Sequence, residues 1–346
     1  MRTGKLPESM LGRSVLKQVH TVNHRISHPF SEMVLKQTKG AAVGSDCAFF
    51  AAPNGQILAW CAQEAAVAGK ADAGEAAALV QKCANNLAAA GATPVSAMIT
   101  IMLPEECEES DVKELMGQIV KACEALQMEV AGGDANVTFA VKCPIVTITA
   151  IGVANPKAYC DLSKAKAGQD LVLTKWIGLE GTAILARKHR EKLLKRYPAY
   201  LVDEATGFAQ YLSVVEDAKI ALEAGACAMH DLSQGGVFGA LWELAEGAGL
   251  GLDVDLKKIP IRQETVETCE VCGVNPYEMK SGGSLLIAAT DGEAVVSALE
   301  AKGISAAVIG KLTESGDRVV RNGEETRFLD RPKGADLIYE TGNTEN

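Results

Sequence analysis

Several short segments of the chain combine glycine with side chains that could bind a metal ion or a phosphate. Gly44-Ser45-Asp46-Cys47-Ala48 places the carboxylate of Asp46 where a loop enters an apolar strand, and Mg²⁺ prefers a few carboxylates together with phosphate oxygens. Gly132-Gly133-Asp134 follows a strand-like run. Its paired glycines would let backbone N–H groups approach a phosphate, while Asp134 adds a metal ligand. Each segment taken alone is also compatible with an ordinary turn.

Two further glycine-rich segments lie in the second half of the chain. Met229–Val237 runs from a predicted strand into a predicted helix, so Gly235 and Gly236 would present free N–H groups and the positive helix end to an anion. Within it His230 and Asp231 could share a proton, and together with Asp46 they are the candidate catalytic residues. In the other segment, Ser281-Gly282 could approach a ligand through the backbone. A plain loop is the alternative for both.

Two adjacent asparagines, Asn85 and Asn86, interrupt an alanine-rich stretch that otherwise favours a helix. Conflicts between local propensity and the wider pattern tend to mark functional positions, so Asn86 is a candidate cofactor-binding residue. A cap or kink in the helix is the alternative. For Cys269-Glu-Val-Cys272, which has no second cysteine pair, we favour a structural position in a helix over zinc or redox chemistry.

The composition is that of a folded, acidic protein. Of 346 residues, 48% are hydrophobic and 23% are charged, and the net charge of −10 argues against a nucleic-acid partner. The basic run at 187–196 is expected to be a solvated helix face. No run approaches about 18 apolar residues, and residues 1–17 lack the apolar core of a signal peptide, so we expect no membrane association. Ten scattered cysteines indicate reduced thiols and a cytoplasmic location.

Strand and helix patterns alternate along the chain, which predicts an α/β (α+β) protein with two domains. We expect an N-terminal extension (1–40), an N-terminal domain (41–155), a linker (156–168), a C-terminal domain (169–335) and a flexible tail (336–346). The predicted strands are 57–62, 94–103, 145–153, 170–174, 226–229, 284–289 and 306–309; the predicted helices are 72–90, 110–126, 179–189, 203–224, 237–248 and 293–302. The segment 132–143 is expected to be a functional loop.

The extension contains His20, His24 and His28, which would share one helix face. A solvated or dimer-facing stripe is favoured over a metal site there, because no acidic or cysteine partner is adjacent. The chain contains no P-loop, nucleophile elbow or strand-bound Rossmann glycine motif, so a nucleotide site would need another design.

The order of the motifs resembles the AIR synthase-related (PurM-like) superfamily. The matching segments, from about residue 5 to residue 335, are Gly44–Ala48, Asn85–Pro94, Gly132–Asp134, Met229–Gly236 and Ser281–Ile287. The ordered set is far more specific than any one motif. The start Gly4-Lys5-Leu6-Pro7, Ile259-Pro260-Ile261 and Ile309-Gly310-Lys311-Leu312 indicate similarity to the HypE-like hydrogenase maturation branch.

The resemblance implies a homodimer in which the N-terminal mixed sheets pair into a barrel, with a sandwich-like α/β C-terminal domain in each chain. It also implies ATP and Mg²⁺ as cofactors and a maturation partner protein. The family's acidic metal ligands map to Asp46, Glu64 and Asp134, and one further acidic position maps to Asn86. The phosphate-binding backbone is expected at Gly44, Gly132, Gly133, Gly235, Gly236, Ser281 and Gly282.

Departures from the family pattern leave the activity open. Gln63-Glu64 replaces a usual Thr-Asp and Asn85-Asn86 a usual Asn-Asp, and an amide offers Mg²⁺ no charge. The printed sequence ends at Asn346 without the terminal cysteine of HypE, so carbamoyl transfer to that thiol is not expected. Three alternatives follow: an ATP-dependent enzyme that phosphorylates an oxygen atom of its substrate, a non-catalytic nucleotide-binding scaffold, and a partner-binding maturation factor without nucleotide. The sequence leaves open whether the substrate is a small molecule or a protein that carries a thiol.

Overall fold

A computed structural model describes residues 47–52, 55–67 and 73–332. These residues form two compact units, the N-terminal unit up to Tyr159 and the C-terminal unit from Cys160. Each contains one sheet with helices, as the α/β prediction requires. The description below takes each unit by itself.

The N-terminal unit is a five-stranded sheet with two helices packed on one face. Its strands are β1 (Ala48–Ala51), β2 (Ile57–Ala66), β3 (Ala92–Leu103), β4 (Glu129–Val137) and β5 (Ile145–Ala154), and its helices are α1 (Ala73–Ala89) and α2 (Glu109–Ala125). The sheet order is β1-β2-β5-β3-β4, with β3 and β4 parallel and the other pairs antiparallel. α1 contacts β2, β3 and β5 and packs against α2.

The two faces of this sheet differ in burial. Strand side chains alternate between faces, and in β3 Ile99 and Ile101 are buried while Met98 and Met102 are exposed. Trp60 on β2 is also exposed, at 47%, and Met98 is 53% exposed. One face is therefore covered by helices, while the other presents large apolar side chains.

The C-terminal unit contains a seven-stranded mixed sheet. Its strands are β6 (Asp170–Thr174), β7 (Ala226–Asp231), β8 (Gly251–Asp255), β9 (Leu285–Ala289), β10 (Ala306–Thr313), β11 (Arg318–Asn322) and β12 (Glu325–Phe328). The sheet order is β12-β11-β8-β10-β6-β9-β7. β6 and β9 are buried along nearly their whole length, and β6 lies between β9 and β10.

Helices complete this unit and supply most of its core. They are α3 (Leu179–Lys188), α4 (Arg190–Leu194), α5 (Ala199–Gly207), α6 (Val215–Glu223), α7 (Gly236–Ala248), α8 (Gln263–Cys272) and α9 (Gly292–Glu300). α7 buries Val237, Leu241 and Leu244 against sheet residues such as Leu171 and Leu286. In the described part of the chain, no helix has both the length and the apolar character needed to cross a membrane.

Two element predictions were wrong. The expected helix at 203–224 is two helices, α5 and α6, with a break at Phe208–Val214. Lys175 explains part of this break, because its ammonium group donates to the carbonyl oxygen of Ser213 at 2.7 Å and holds that segment against β6. The expected loop at 132–143 begins as strand β4, which pairs with β3 through Val137.

Candidate functional site

Strand β4 carries the predicted Gly132-Gly133-Asp134 segment in extended backbone instead of a turn. A Cβ atom on Gly133 would lie 1.8 Å from the carbonyl oxygen of Ile99, so only glycine allows β4 to approach β3 this closely. Asp134 is exposed, and its two carboxylate oxygens accept hydrogen bonds from the Ala135 N–H at 2.9 Å and the Asn136 amide at 2.8 Å. The carboxylate is therefore held in place at the sheet surface.

Glu64 and Asp134 lie on the same face of the N-terminal sheet. Glu64 pairs with Thr147, Thr147 with Thr100, and Thr100 with Asp134, so the four residues form one row across β2, β5, β3 and β4. Directly paired residues point to the same face, and Glu64, Thr100 and Asp134 are all exposed. The row crosses three strand spacings, or roughly 14 Å at about 4.8 Å per strand.

Asn86 lies on the covered side of the same sheet. It is 2% exposed on α1, where Asn85 accepts a hydrogen bond from the Gln81 amide at 2.8 Å. The Cys47 thiol donates to the Asn86 carbonyl oxygen at 3.3 Å. This contact brings the residue that follows Asp46 against α1, so two of the sequence motifs meet there. Gly44, Asp46 and the three histidines of the extension lie outside the described residues.

In the C-terminal unit three glycine-containing turns meet beside the ends of β6, β7 and β9. Ser281 links them, since its N–H donates to the Ser233 carbonyl oxygen at 3.1 Å and its hydroxyl accepts from the Gly178 N–H at 2.5 Å. The Gly181 N–H donates to the Lys280 carbonyl oxygen at 2.9 Å. The structure therefore brings Ser281 and Gly282 next to the turn that precedes α7.

Close packing requires the glycine at the start of α7. Gly236 has φ of +62°, and a Cβ atom there would lie 2.4 Å from the Tyr277 carbonyl oxygen. Its N–H donates to the Ser233 carbonyl oxygen at 3.3 Å, and the Phe238 N–H donates to Tyr277 at 3.2 Å. Two of the first N–H groups of α7 thus have protein acceptors, which leaves fewer donors for an anion than the sequence suggested. Anion binding at Gly235 and Gly236 stays a prediction.

His230 has a buried partner that the sequence analysis did not single out. Its Nε2 lies 2.9 Å from a carboxylate oxygen of Glu243 on α7, and the two residues are 3% and 9% exposed. Asp231, the last residue of β7, is 2% exposed. A histidine–carboxylate pair in a buried setting can hold a proton at a fixed position.

The turn between β6 and α3 is the other feature that sequence reasoning missed. Gly178 and Gly181 mark this segment in the sequence. In the structure Glu180 lies between them and its carboxylate pairs with the Lys280 ammonium at 2.8 Å. A Cβ atom on Gly282 would lie 2.5 Å from the Glu180 carboxylate, so this pair and the glycines interlock. The signal available in the sequence was the pair of glycines in each of the two segments, 178–181 and 280–283, which meet in the structure.

The acidic residues of the described chain do not gather around one point. Histidine, cysteine, aspartate and glutamate side chains form no cluster of three suited to a metal ion within those residues. Glu64 or Asp134, each an exposed carboxylate, could singly serve as one of the one or two protein ligands that Mg²⁺ takes beside phosphate oxygens and water.

Comparison with known proteins identifies the family. Residues 44–154 match the model of the N-terminal domain of AIR synthase related proteins, and residues 166–322 match the model of its C-terminal domain. Carbamoyl dehydratase HypE of Rhodobacter capsulatus is 28% identical over 233 residues, which are 66% of this chain and 66% of that protein. The matched region thus spans about two thirds of that relative.

Solved structures show the same fold. The structure of a HypE–HypF complex matches with a TM-score of 0.69 at 18% identity, covering 92% of this chain and 100% of the other. A structure of HypE in complex with ATP matches with a TM-score of 0.68 at 17% identity, covering 97% of each chain. These matches confirm the resemblance and the fold class inferred from the motifs. The chain belongs to the AIR synthase-related family, and its relatives place it on the HypE-like branch.

Proposed function

We propose that this protein binds ATP with Mg²⁺ and uses it to phosphorylate an oxygen atom of its substrate. The observation that carries this proposal is the row that holds Glu64 and Asp134, two of the family's acidic positions, on one open sheet face. When bound, Mg²⁺ would neutralise phosphate charge. The side chains of this chain would orient the metal–phosphate group, so catalysis would rest on positioning and electrostatics. A HypE structure with ATP supports the choice of nucleotide.

The spacing of that row favours a site completed by a second copy of the chain. Two carboxylates about 14 Å apart cannot both ligate one ion, because Mg²⁺ ligands lie at about 2.1 Å. The exposed apolar side chains Trp60, Met98 and Met102 lie on strands β2 and β3 and are suited to burial against another sheet. We therefore propose a homodimer in which Asp134 of one copy approaches Glu64 of the other.

Calorimetry with ATP and Mg²⁺, followed by a phosphate-release assay, tests this function. We expect binding and turnover in the unchanged protein, and a loss of about tenfold or more in both for Asp134→Asn. Glu129→Gln is the matched control, because Glu129 lies on the same strand and pairs with Ser96 as Asp134 pairs with Thr100. Equal losses in the two variants, or no ATP binding in the unchanged protein, would contradict the proposal.

A nucleotide-binding scaffold without turnover is the second candidate function, and Asn86 favours it. The residue is 2% exposed and neutral at a position where the family usually has an acid. Asn86→Asp tests this alternative. A scaffold that lost its activity at this position should gain ATP turnover in the variant with Mg²⁺ present, while the unchanged protein binds ATP without hydrolysing it. Turnover in the unchanged protein would exclude the scaffold.

The same family membership supports a partner protein. The HypE–HypF structure shows that a chain of this fold can assemble with a second maturation protein. We propose a maturation partner and a small-molecule or protein-thiol acceptor for this chain, acting in the cytoplasm. Affinity purification of the tagged chain from its own cells, in parallel with the Asp134→Asn variant, would identify them. Recovery of the tagged chain alone, from both the unchanged protein and the Asp134→Asn variant, would argue against a stable partner.

A further inference from the structure

Two cysteines far apart in sequence, Cys160 and Cys227, lie near the same edge strand of the C-terminal sheet. Cys160 is 3% exposed, and its thiol lies 3.9 Å from the carbonyl oxygen of Ala226, the residue before Cys227. Cys227 is half-buried on β7, which is the edge strand of the sheet. The pairing of β7 with β9 shifts register between Ala226 and Ala228, so Cys227 is the extra residue of a bulge.

The Gly225 carbonyl oxygen accepts a hydrogen bond from the Cys227 thiol at 3.6 Å, and other polar groups surround this sulfur. The Gln169 amide donates to it at 3.0 Å, and Gln169 is itself 5% exposed and held by the Lys166 N–H at 2.8 Å. Lys164 is close to both thiols: burial lowers its pKa, and the charges of Cys160 and Cys227 act in the opposite direction. The thiolate of a cysteine is the nucleophile, so a positioned sulfur that solvent can reach is a candidate for oxidation.

The two thiols differ in burial, and burial affects how each can react. It raises the pKa of Cys160 to about 12, with Cys227 contributing a smaller rise. An enclosed thiol of this kind does not meet a dissolved oxidant first, whereas the half-buried Cys227 can.

We propose that Cys227 is an oxidative modification site and that Cys160 is its resolving partner. The Cys227 thiolate attacks hydrogen peroxide; a sulfur–oxygen bond forms, the oxygen–oxygen bond breaks, and the leaving hydroxide takes up a proton to become water. The Cys160 sulfur then attacks the sulfenic acid, a disulfide forms, and the hydroxyl group leaves with the Cys160 proton as a second water. The product ties the segment before β6 to the edge strand β7, and a dithiol reductant reverses it.

Peptide mapping of the reduced, full-length protein after hydrogen peroxide treatment tests this inference. We expect a linked peptide pair containing Cys160 and Cys227 that is lighter by two hydrogen atoms and disappears with dithiothreitol. Cys160→Ser should leave Cys227 as a sulfenic acid that dimedone traps. Cys227→Ser should leave Cys160 unoxidised at the same peroxide dose.

Cys272→Ser is the matched control, because it removes a half-buried thiol elsewhere in the same unit. The Cys160–Cys227 link should form in this variant at an unchanged rate. A peroxide-dependent link between Cys269 and Cys272 in place of the proposed one would overturn the inference. So would dimedone labelling of Cys227 that is the same with and without Cys160.

Discussion

At the scale of single residues, the buried polar pairs mark side chains on which the stability of the fold depends. His230 and Glu243 lie 2.9 Å apart in a buried setting. Lys175 is similarly enclosed: its ammonium contacts Asp217 and the carbonyl oxygens of Ser213 and Gly283 at 2.7–2.8 Å. Removing one member of such a pair leaves the other with an unmet desolvation cost.

Glu243→Ala should lower the free energy of unfolding by about 2 kcal/mol, because the His230 ring loses its carboxylate partner while remaining buried. Urea unfolding followed by tryptophan fluorescence measures the effect. Glu300→Ala, at the exposed end of α9, should change stability by no more than about 0.5 kcal/mol. A loss for Glu243→Ala as small as that of this control would mean that the pair does not support the fold.

Buried thiols should make the protein sensitive to alkali. Burial raises the pKa of Cys160 and of Cys269 to about 12, against 9.0 for a free thiol. Because the pKa is raised in the folded protein, the thiol ionises at lower pH in the unfolded chain. The stabilisation of the folded state by the protonated thiol is therefore complete below about pH 9 and is lost as pH rises towards 12. Each thiol contributes at most about 4 kcal/mol to this dependence.

Urea midpoints measured across this pH range should fall, and Cys269→Ala should flatten the fall. Below about pH 8 the profiles of the variant and the unchanged protein should run parallel, because neither state of the thiol ionises there. A variant that is as sensitive to alkali as the unchanged protein would contradict this explanation.

At the scale of elements, glycines set how closely turns and strands approach. Gly236→Ala should destabilise the protein more than Gly249→Ala, although both glycines have positive φ, +62° and +66°. A Cβ atom at Gly236 meets the Tyr277 carbonyl oxygen at 2.4 Å, whereas one at Gly249 meets nothing within 4 Å. We expect about 1 kcal/mol for Gly249→Ala and at least about 2 kcal/mol more for Gly236→Ala. Thermal unfolding of both variants measures the difference, and equal losses would show that the turn relaxes freely.

Elements with a strong local signal could be predicted from the sequence, and those decided by tertiary contacts could not. Strand β6 was predicted with its observed bounds because an apolar run lies between polar residues. Strand β4 was hidden, because Gly132 and Gly133 have poor strand propensity, and the close approach of Gly133 to Ile99 is visible only in the folded chain. The Glu243 partner of His230 lies 13 residues away on a helix face, and no spacing rule points to it.

The candidate site also divides into residues that the sequence could predict and contacts that only the structure shows. The Gly-Gly-Asp motif selected Asp134 and the family resemblance selected Glu64, but only strand register shows that the two share one sheet face. Sequence likewise indicated the turns at Gly235 and Ser281, whereas their convergence with Gly178 depends on hydrogen bonds between segments 100 residues or so apart.

At the scale of the whole molecule, the open face of the N-terminal sheet predicts self-association. Met98→Glu and Trp60→Glu should convert the proposed dimer into monomers, because each places a charge among side chains that pairing would bury. Sedimentation velocity measures the mass directly. Val266→Glu is the control, since Val266 is a 40% exposed apolar residue on α8 in the other unit. A dimer that survives both sheet variants would place the contact elsewhere.

The position of β6 in its sheet has a consequence for synthesis on the ribosome. β6 ends at Thr174, but its neighbours β9 and β10 begin only at Leu285 and Ala306. At ordinary translation speed, the ribosome needs on the order of ten seconds after β6 to synthesise either neighbouring strand. During that interval its Leu-Val-Leu segment has no sheet to join, so chaperone capture and aggregation of nascent chains should concentrate there.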